Sequence, residues 1–203
     1  MPAPSLVALR RRYRTARRAI DAHTQQQHAS AVARQVAISR LPLCSGRFAI
    51  YLPNDGELDP SPIAERLLGA GKTSALPVIG ANRRLSFYRY GTQTHLVNNR
   101  YGIAEPAPLA AYKLPLTSLA VVFVPLVAFD DAGVRLGMGG GYYDATFASH
   151  HHALLVGLAH EQQRHTNLPR RPWDVSLDLI ITECRSRAFS PRGQRYLNSK
   201  KGQ

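Results

Sequence analysis

Residues that could carry chemistry concentrate in the segment 135–144, which reads Arg-Leu-Gly-Met-Gly-Gly-Gly-Tyr-Tyr-Asp. Four glycines within five residues weaken any helix or strand, because glycine buries no side chain and loses much conformational freedom on folding. They do let backbone N–H groups approach an anion closely, as in phosphate-binding loops. Arg135 adds a cation, Tyr142 and Tyr143 add flat rings, and Asp144 adds a carboxylate for a metal ion. The segment therefore predicts a site for an anionic, planar ligand.

Two alternatives stay open for this segment. It could be a mobile surface loop, although its apolar flanks are unlike the polar composition of most flexible linkers. It lacks the Gly-Lys-Ser/Thr ending of a P-loop, and it does not open a βαβ unit at the start of the chain. Its spacing therefore indicates that an anion binds but does not identify the anion as a nucleotide. Asp144 could instead favour the first turn of a helix, and Tyr142 could be a core residue.

The elements that must position this loop alternate between helices and strands. A stripe of apolar residues at spacings of three and four predicts a first helix: Leu6, Leu9, Tyr13, Ala16 and Ile20. Further helices are predicted over 24–40 (with Thr24 as N-cap), 60–68 and 142–150, and strands over 47–52, 73–79, 85–90, 119–124, 153–158 and 177–182. Residues 98–118 are predicted to form a long connection. The alternation predicts an α/β fold whose sheet is parallel at its centre.

Acidic residues fall where such a sheet would bind a ligand. In open α/β sheets, ligands collect at the carboxyl ends of the strands. Glu57, the glycine loop and Asp174 all lie in turns that adjoin predicted strands. A solvated turn carboxylate is the alternative for Glu57, and a turn-forming role is the alternative for Asp174.

The net charge of +13 lies mainly at the two ends of the chain. Six arginines precede residue 19 and six basic residues follow residue 184, whereas the segment between them holds 14 basic and 13 acidic residues. A nucleic-acid-binding surface would more often spread its basic residues over the folded core. We therefore expect a nearly neutral domain over residues 1–184, a basic disordered tail over 185–203, and small anionic ligands in preference to nucleic acid.

Composition excludes several other classes. No apolar run approaches the length of about 20 residues that spans a bilayer, and without an apolar segment after the first basic residues we expect no secretory signal. Cys44 and Cys184 lack metal-site spacing, which favours reduced thiols and a cytoplasmic protein. The histidines at 150–152, with His160 and His165, are predicted to form a polar surface loop, because consecutive histidines cannot all face one ion.

The decapeptide at 135–144 resembles the signature of the 5-formyltetrahydrofolate cyclo-ligases, also called 5,10-methenyltetrahydrofolate synthetases. Segments in the same order support the resemblance over about residues 6–183: Tyr51-Leu52-Pro53, Gly56-Glu57-Leu58-Asp59, Leu76-Pro77-Val78, Gly102-Ile103-Ala104-Glu105-Pro106, Val124-Pro125-Leu126-Val127-Ala128-Phe129-Asp130 and Trp173-Asp174 with Leu177-Asp178. The resemblance implies a single-domain α/β sandwich whose mixed sheet is flanked by helices. It also implies an enzyme that uses ATP and Mg²⁺ to convert 5-formyltetrahydrofolate into 5,10-methenyltetrahydrofolate, releasing ADP and phosphate. Separately, we expect a monomer.

The resemblance also implies roles for named residues. It assigns Mg²⁺ to Asp144 and Asp174, and catalysis to Arg135, Tyr142 and Asp144. The implied ATP contacts are Arg10, Arg14, Arg135, Gly137, Gly139, Gly140, Gly141, Tyr142 and Tyr143. The implied folate contacts are Leu52, Glu57, Met138, Gly139, Gly140, Gly141 and Tyr142.

One departure from the family pattern concerns the first helix. The family has a lysine four residues before an arginine, but the alignment places Leu6 at the lysine position and Arg10 at the arginine position. Arg10 and Arg14 could serve as the pair, or each could be a solvated helix arginine. Two rival functions remain, a non-catalytic relative that binds ATP or folate and an RNA-associated protein that uses its basic ends.

Overall fold

A computed structural model describes residues 5–44, 46–149 and 152–197. The helices are α1 (Leu6–Arg18), α2 (Ala22–Ile38), α3 (Ser61–Gly69), α4 (Tyr142–Phe147) and α5 (Pro191–Leu197). The strands are β1 (Arg47–Ala49), β2 (Ser74–Ile79), β3 (Leu85–Tyr90), β4 (Leu96–Asn98), β5 (Ala104–Pro106), β6 (Lys113–Leu114), β7 (Leu119–Pro125), β8 (Ala128–Phe129), β9 (Arg135–Leu136), β10 (Leu154–Leu158), β11 (Leu179–Ile181) and β12 (Ser186–Ala188).

Eight strands form one mixed sheet in the order β12-β11-β10-β7-β1-β2-β3-β6. The five central strands, β11 to β2 in this order, run parallel, whereas β12, β3 and β6 are antiparallel to their neighbours. The predicted α/β fold with a centrally parallel sheet is therefore confirmed.

Strand β7 shows why its continuous apolar sequence belongs at the centre. Val121 and Phe123 pack in one hydrophobic cluster with α2 and α3, whereas Val122 and Val124 pack in a second cluster that includes Phe147 of α4. Successive side chains of a strand point to opposite faces, so a strand covered on both faces needs apolar residues at every position.

Helix α1 is held against the glycine loop by a third cluster. Leu9 and Tyr13 are buried beside Val127 and Leu136. Since Leu136 immediately precedes the glycines, this packing brings the arginines of α1 to the loop.

Local details differ from the sequence-based expectations where the elements are short. The connection 98–118 contains β5 and β6, and β5 pairs with β4 as a hairpin. Helix α2 begins earlier than expected, since the Asp21 carboxylate caps it by accepting from Thr24 N at 2.9 Å. Among the described residues, no helix is long and apolar enough to cross a membrane.

The prediction of a disordered tail from residue 185 is wrong for residues 186–197. Strand β12 pairs with β11, and Phe189 N donates to Asp178 O at 2.9 Å. A Cβ on Gly193 would lie 2.2 Å from the same carbonyl oxygen, so α5 packs closely on this strand end. Backbone pairing fixes this segment, although it lacks the hydrophobic periodicity on which the sequence-based prediction relied. The boundary expected at residue 184 therefore falls inside the main sheet.

Candidate active site

The glycine loop links β9 to α4 and requires glycine for its backbone shape. Gly139 and Gly141 have φ angles of 107° and 69°, in the left-handed region that side chains disfavour. A Cβ on Gly140 would lie 2.8 Å from the Tyr142 ring. The loop therefore presents backbone where other residues would present side chains.

Arg10 lies against this loop. Its Nε donates to Gly137 O at 2.9 Å, and a Cβ on Gly139 would lie 3.6 Å from its guanidinium carbon. Partial burial, followed by the charge of Arg171, lowers the pKa of Arg10 from its usual value. Two neighbouring guanidinium groups repel each other, so an anion beside the loop would be favoured here.

Arg17, buried completely on α1, connects the loop to the turn at 54–57. Its Nε donates to Asp55 O at 2.7 Å and its Nη2 to the Asp55 carboxylate at 2.8 Å. The same Nη2 lies 3.6 Å from Glu57 Oε1 and 3.9 Å from Met138 Sδ. Arg17 therefore fixes Glu57 and the exposed Met138 on the same side of α1.

Arg14 and Arg18 also pair with Asp55. Arg14 Nε lies 2.7 Å from Asp55 Oδ2, and Arg18 binds the other carboxylate oxygen. Burial disfavours the ionised carboxylate, but hydrogen bonds from Arg14, Arg18 and Arg17 outweigh it and hold the pKa of Asp55 at about 2. Arg14 is thus committed to a protein carboxylate, whereas Arg10 is bonded only to a carbonyl among the described residues.

Glu57 sits in a different electrostatic environment from Asp55, two residues away. Its side chain is 11% exposed, and burial raises the pKa of Glu57 to about 7. The Arg17 charge and the Asn54 N–H, 3.2 Å from Oε2, oppose this rise, whereas the Asp55 charge adds to it. Glu57 is therefore a carboxyl group that exchanges its proton near neutral pH.

Arg135 positions Asp144 in the structure. Its Nη2 donates to Asp144 Oδ1 at 2.7 Å, and its Nη1 donates to Val175 O. Val175 N donates to the same Oδ1 at 3.0 Å, so the Asp174–Val175 segment is fastened beside Asp144. The side chain of Arg135 is nearly buried, at 5% exposure.

Asp144 and Asp174 each keep one free carboxylate oxygen. All hydrogen bonds to the Asp144 carboxylate from described residues reach Oδ1, and the Asp174 carboxylate accepts through Oδ2 from Arg171 N at 2.8 Å. Oδ2 of Asp144 and Oδ1 of Asp174 therefore remain for a hard cation such as Mg²⁺, which prefers oxygen ligands.

The two tyrosines of the loop have different surroundings. Tyr142 OH lies 3.1 Å from Tyr101 OH and also accepts from Arg100, and these bonds lower the pKa of Tyr142. Tyr143 stacks on Phe147 with ring centroids 6.4 Å apart. Burial, and next the Glu57 charge, raise the pKa of Tyr143. Tyr142 thus faces the 100–101 segment, and Tyr143 packs toward the core.

The structure brings most of the predicted residues together around the loop. Arg10 contacts the loop, Glu57 is linked to Met138 through Arg17, and Asp144 is tied by Val175 N to the segment that contains Asp174. Leu52 is half-buried against the core beside the turn. These residues remain a predicted binding set.

Sequence reasoning missed Arg17, Asp55, Arg100, Tyr101 and Arg171. Arg17 continues the buried stripe of Leu9 and Tyr13 at a spacing of four, which was the available signal. Sequence reasoning also placed His160 and His165 in a polar surface loop, which is wrong for His160, whereas His152 is exposed as predicted. His160 is fully buried and His165 Nδ1 lies 2.9 Å from Tyr13 OH, whereas His150 and His151 lie outside the described residues.

Comparison with known proteins agrees with the fold and the loop. A sequence model described as the 5-formyltetrahydrofolate cyclo-ligase family matches residues 4–183. A 5-formyltetrahydrofolate cyclo-ligase of Escherichia coli (strain K12) is 39% identical over 173 residues, covering 83% of this chain and 95% of that protein. The cyclo-ligase of Haemophilus influenzae is 40% identical over 138 residues, covering 66% of this chain and 74% of that protein.

Solved structures give the same result for the fold. The Aquifex aeolicus 5,10-methenyltetrahydrofolate synthetase superposes with a TM-score of 0.72 at 28% identity, covering 98% of this chain and 95% of that one. The Mycoplasma pneumoniae synthetase has the same fold, with a TM-score of 0.71 at 22% identity over 89% of this chain and 99% of that one. The resemblance identified from the glycine segment is confirmed, and the chain belongs to the 5-formyltetrahydrofolate cyclo-ligase family of enzymes.

Proposed function

We propose that the chain uses ATP and Mg²⁺ to convert 5-formyltetrahydrofolate into 5,10-methenyltetrahydrofolate, with release of ADP and phosphate. One observation carries the proposal. A single loop, 137–141, contacts Arg10 through Gly137 and the Arg17–Glu57 pair through Met138. Two ligands bound on these contacts would meet at the loop.

The triphosphate binds between α1 and the loop. Arg10 supplies a charge whose remaining donors are not used by the described residues, and the glycines supply close backbone approach. Arginines of α1 also line a surface cavity of about 240 Å³ on that helix, to which no residue of the loop contributes. Arg14 and Arg18 are paired with Asp55, so Arg10 would replace the lysine that the family carries at the position of Leu6.

Asp144 and Asp174 would hold the magnesium ion, since each keeps a carboxylate oxygen that no described residue uses. Bound Mg²⁺ would neutralise the charge of the triphosphate. Arg135 acts on this site by orienting Asp144, which the 2.7 Å contact supports better than direct phosphate binding.

The folate binds on the opposite part of the loop. Glu57 is a nearly buried carboxyl group suited to hydrogen bonds with the edge of the pterin, and Leu52 and Met138 add apolar contact. Tyr142 offers its ring to the same ligand, while Arg100 and Tyr101 orient its hydroxyl.

The reaction needs two steps because an N-formyl group is a poor electrophile. The formyl oxygen first takes the γ-phosphoryl group of ATP, and ADP leaves. N10 of the folate then attacks the activated formyl carbon and loses its proton. The C–O bond breaks, and the former formyl oxygen departs within phosphate. Positioning and charge neutralisation supply most of the catalysis in phosphoryl transfer.

An absorbance assay tests the proposal. Purified protein mixed with 5-formyltetrahydrofolate and MgATP should generate the near-ultraviolet band of the methenyl product, with one phosphate released for each product formed. Tight ATP binding without turnover would instead indicate a non-catalytic relative. We also expect a monomeric, cytoplasmic enzyme, and sedimentation of the purified chain tests the monomer.

A further inference from the structure

A second cluster of metal-binding side chains consists of His28, His160 and Glu183. His28 lies on α2, His160 follows β10, and Glu183 follows β11. One ligating atom of each lies within 4.8 Å of the other two. Among the described residues, no other group of three or more His, Cys, Asp or Glu side chains has its ligating atoms this close together.

The distances within the cluster suit a tetrahedral ion. His28 Nδ1 lies 2.9 Å from His160 Nδ1 and 3.8 Å from Glu183 Oε1. Zinc–ligand bonds of about 2.0–2.1 Å at tetrahedral angles separate the ligand atoms by about 3.3 Å. The two distances from His28 lie within about half an ångström of this value, and the ligand atoms of His160 and Glu183 are no more than 4.8 Å apart.

Two of the three side chains are held in place. His160 is fully buried, and its Nδ1 faces His28 Nδ1. Glu161 N donates to the Glu183 carboxylate at 3.0 Å and orients it.

An ion can reach the cluster from solvent. The side chains of His28 and Glu183 are 22% and 14% exposed, and both line a surface cavity of about 550 Å³ beside α2. Three protein ligands leave a fourth position, which water from this cavity would fill.

We propose that His28, His160 and Glu183 bind one Zn²⁺ ion. Two imidazoles and one carboxylate match the ligand preference of zinc, in contrast to the all-oxygen set that suits Mg²⁺. The ion would join α2 to the ends of β10 and β11. It is separate from the pair Asp144 and Asp174, and it does not depend on the proposed reaction.

Cobalt substitution tests the zinc site without measuring turnover. After treatment with a chelator, the full chain should bind one Co²⁺ with visible d–d absorption, and one equivalent of Zn²⁺ should abolish the band. His28→Gln and Glu183→Gln should each weaken Zn²⁺ binding at least tenfold. His23→Gln is the matched control, because His23 lies on the same helix, lines the same cavity and is hydrogen-bonded to Gln27.

The alternative is a histidine pair that is only hydrogen-bonded, with an ion pair to Glu183. Wild-type protein without a tetrahedral cobalt band, or ligand variants that bind Zn²⁺ as tightly as His23→Gln, would overturn the zinc site. Loss of binding in His152→Gln or Cys184→Ser, with binding retained in both ligand variants, would assign the ion elsewhere. Zinc should also raise the melting temperature of wild type and not that of His28→Gln.

Discussion

At the residue scale, Asp55 and Glu57 show how burial and partners separate two carboxyl groups in one turn. Asp55 is paired with three arginines of α1, and its pKa is held at about 2. Glu57 lies 3.6 Å from one of the same arginines but has no arginine hydrogen bond among the described residues, and burial raises its pKa to about 7. Geometry around α1 therefore keeps one group ionised and allows the other to be protonated.

Arg17→Met should lower the free energy of unfolding by about 3 kcal/mol or more, because it leaves a largely buried carboxylate and the Asp55 carbonyl without their shared donor. Arg14→Met is the matched control on the same carboxylate. Its side chain is 36% exposed, so the loss should be about 1 kcal/mol or less. Urea unfolding measures both, and equal losses would contradict the central role of Arg17.

Glu57 should make stability depend on pH. A carboxyl group whose pKa is higher in the folded state stabilises the fold below its ordinary value of 4.5, and this contribution is lost as pH rises to about 7. Glu57→Gln should therefore gain stability relative to wild type between pH 4.5 and 7, by up to about 3 kcal/mol. Urea unfolding of both proteins at several pH values measures the difference, and parallel pH profiles would contradict it.

Asp144→Asn should reduce MgATP-dependent turnover by at least about a hundredfold. The amide oxygen can still accept from Arg135 and Val175 N, so the fold should persist, but the negative charge for Mg²⁺ is gone. Asp131→Asn is the control, since that aspartate pairs with Arg164 and Arg187 instead. The absorbance assay and circular dichroism measure activity and folding, and full activity of Asp144→Asn would remove Asp144 from the mechanism.

At the scale of elements, the site depends on α1 and on the chain that follows β1 and β7. Helix α1 supplies Arg10 and Arg17, which bind the carbonyl oxygens of Gly137 and Leu126 respectively. The end of the sheet near Asp178 is closed by β12 and α5. Short elements that are held by backbone contacts therefore contribute to the architecture around the site, as the long central strands do.

Deletion of residues 186–203 should destabilise the protein, because it removes the partner of β11 and the Phe189 contact over Gly133. Gly193→Ala tests the same packing with one methyl group, which would lie 2.2 Å from Asp178 O. Gly69→Ala is the control, since its Cβ would meet no atom within 4 Å at the end of α3. Melting temperatures should fall for the first two and hold or rise for the third.

At the scale of the whole molecule, the positive charge favours anionic substrates. The net charge of +13 and the arginine surface of α1 should attract both MgATP and the folate. Raising the ionic strength from about 20 mM to about 0.5 M should therefore raise KM for both substrates several-fold, because salt screens these charges. Steady-state kinetics at several salt concentrations measures the effect, and kcat should change little.

Some of this arrangement is readable from sequence because its signals are local. The apolar run of β7 and the glycines of the loop both predict what the structure contains. Arg17 escaped prediction because its partners Asp55 and Leu126 are 38 and 109 residues away. The hairpin β4–β5 and strand β12 were not predicted, because three-residue strands show no hydrophobic periodicity and their positions depend on pairing with other strands.

The long reach of the α1 arginines has a consequence for protein synthesis. The ribosome delivers α1 before the glycine loop, because Gly137 O, which binds Arg10, follows 127 residues later. The basic helix therefore stays without this partner until the loop has emerged, because contacts distant in sequence form late. A chain that terminated between α1 and the loop would carry the basic helix without the loop that it holds.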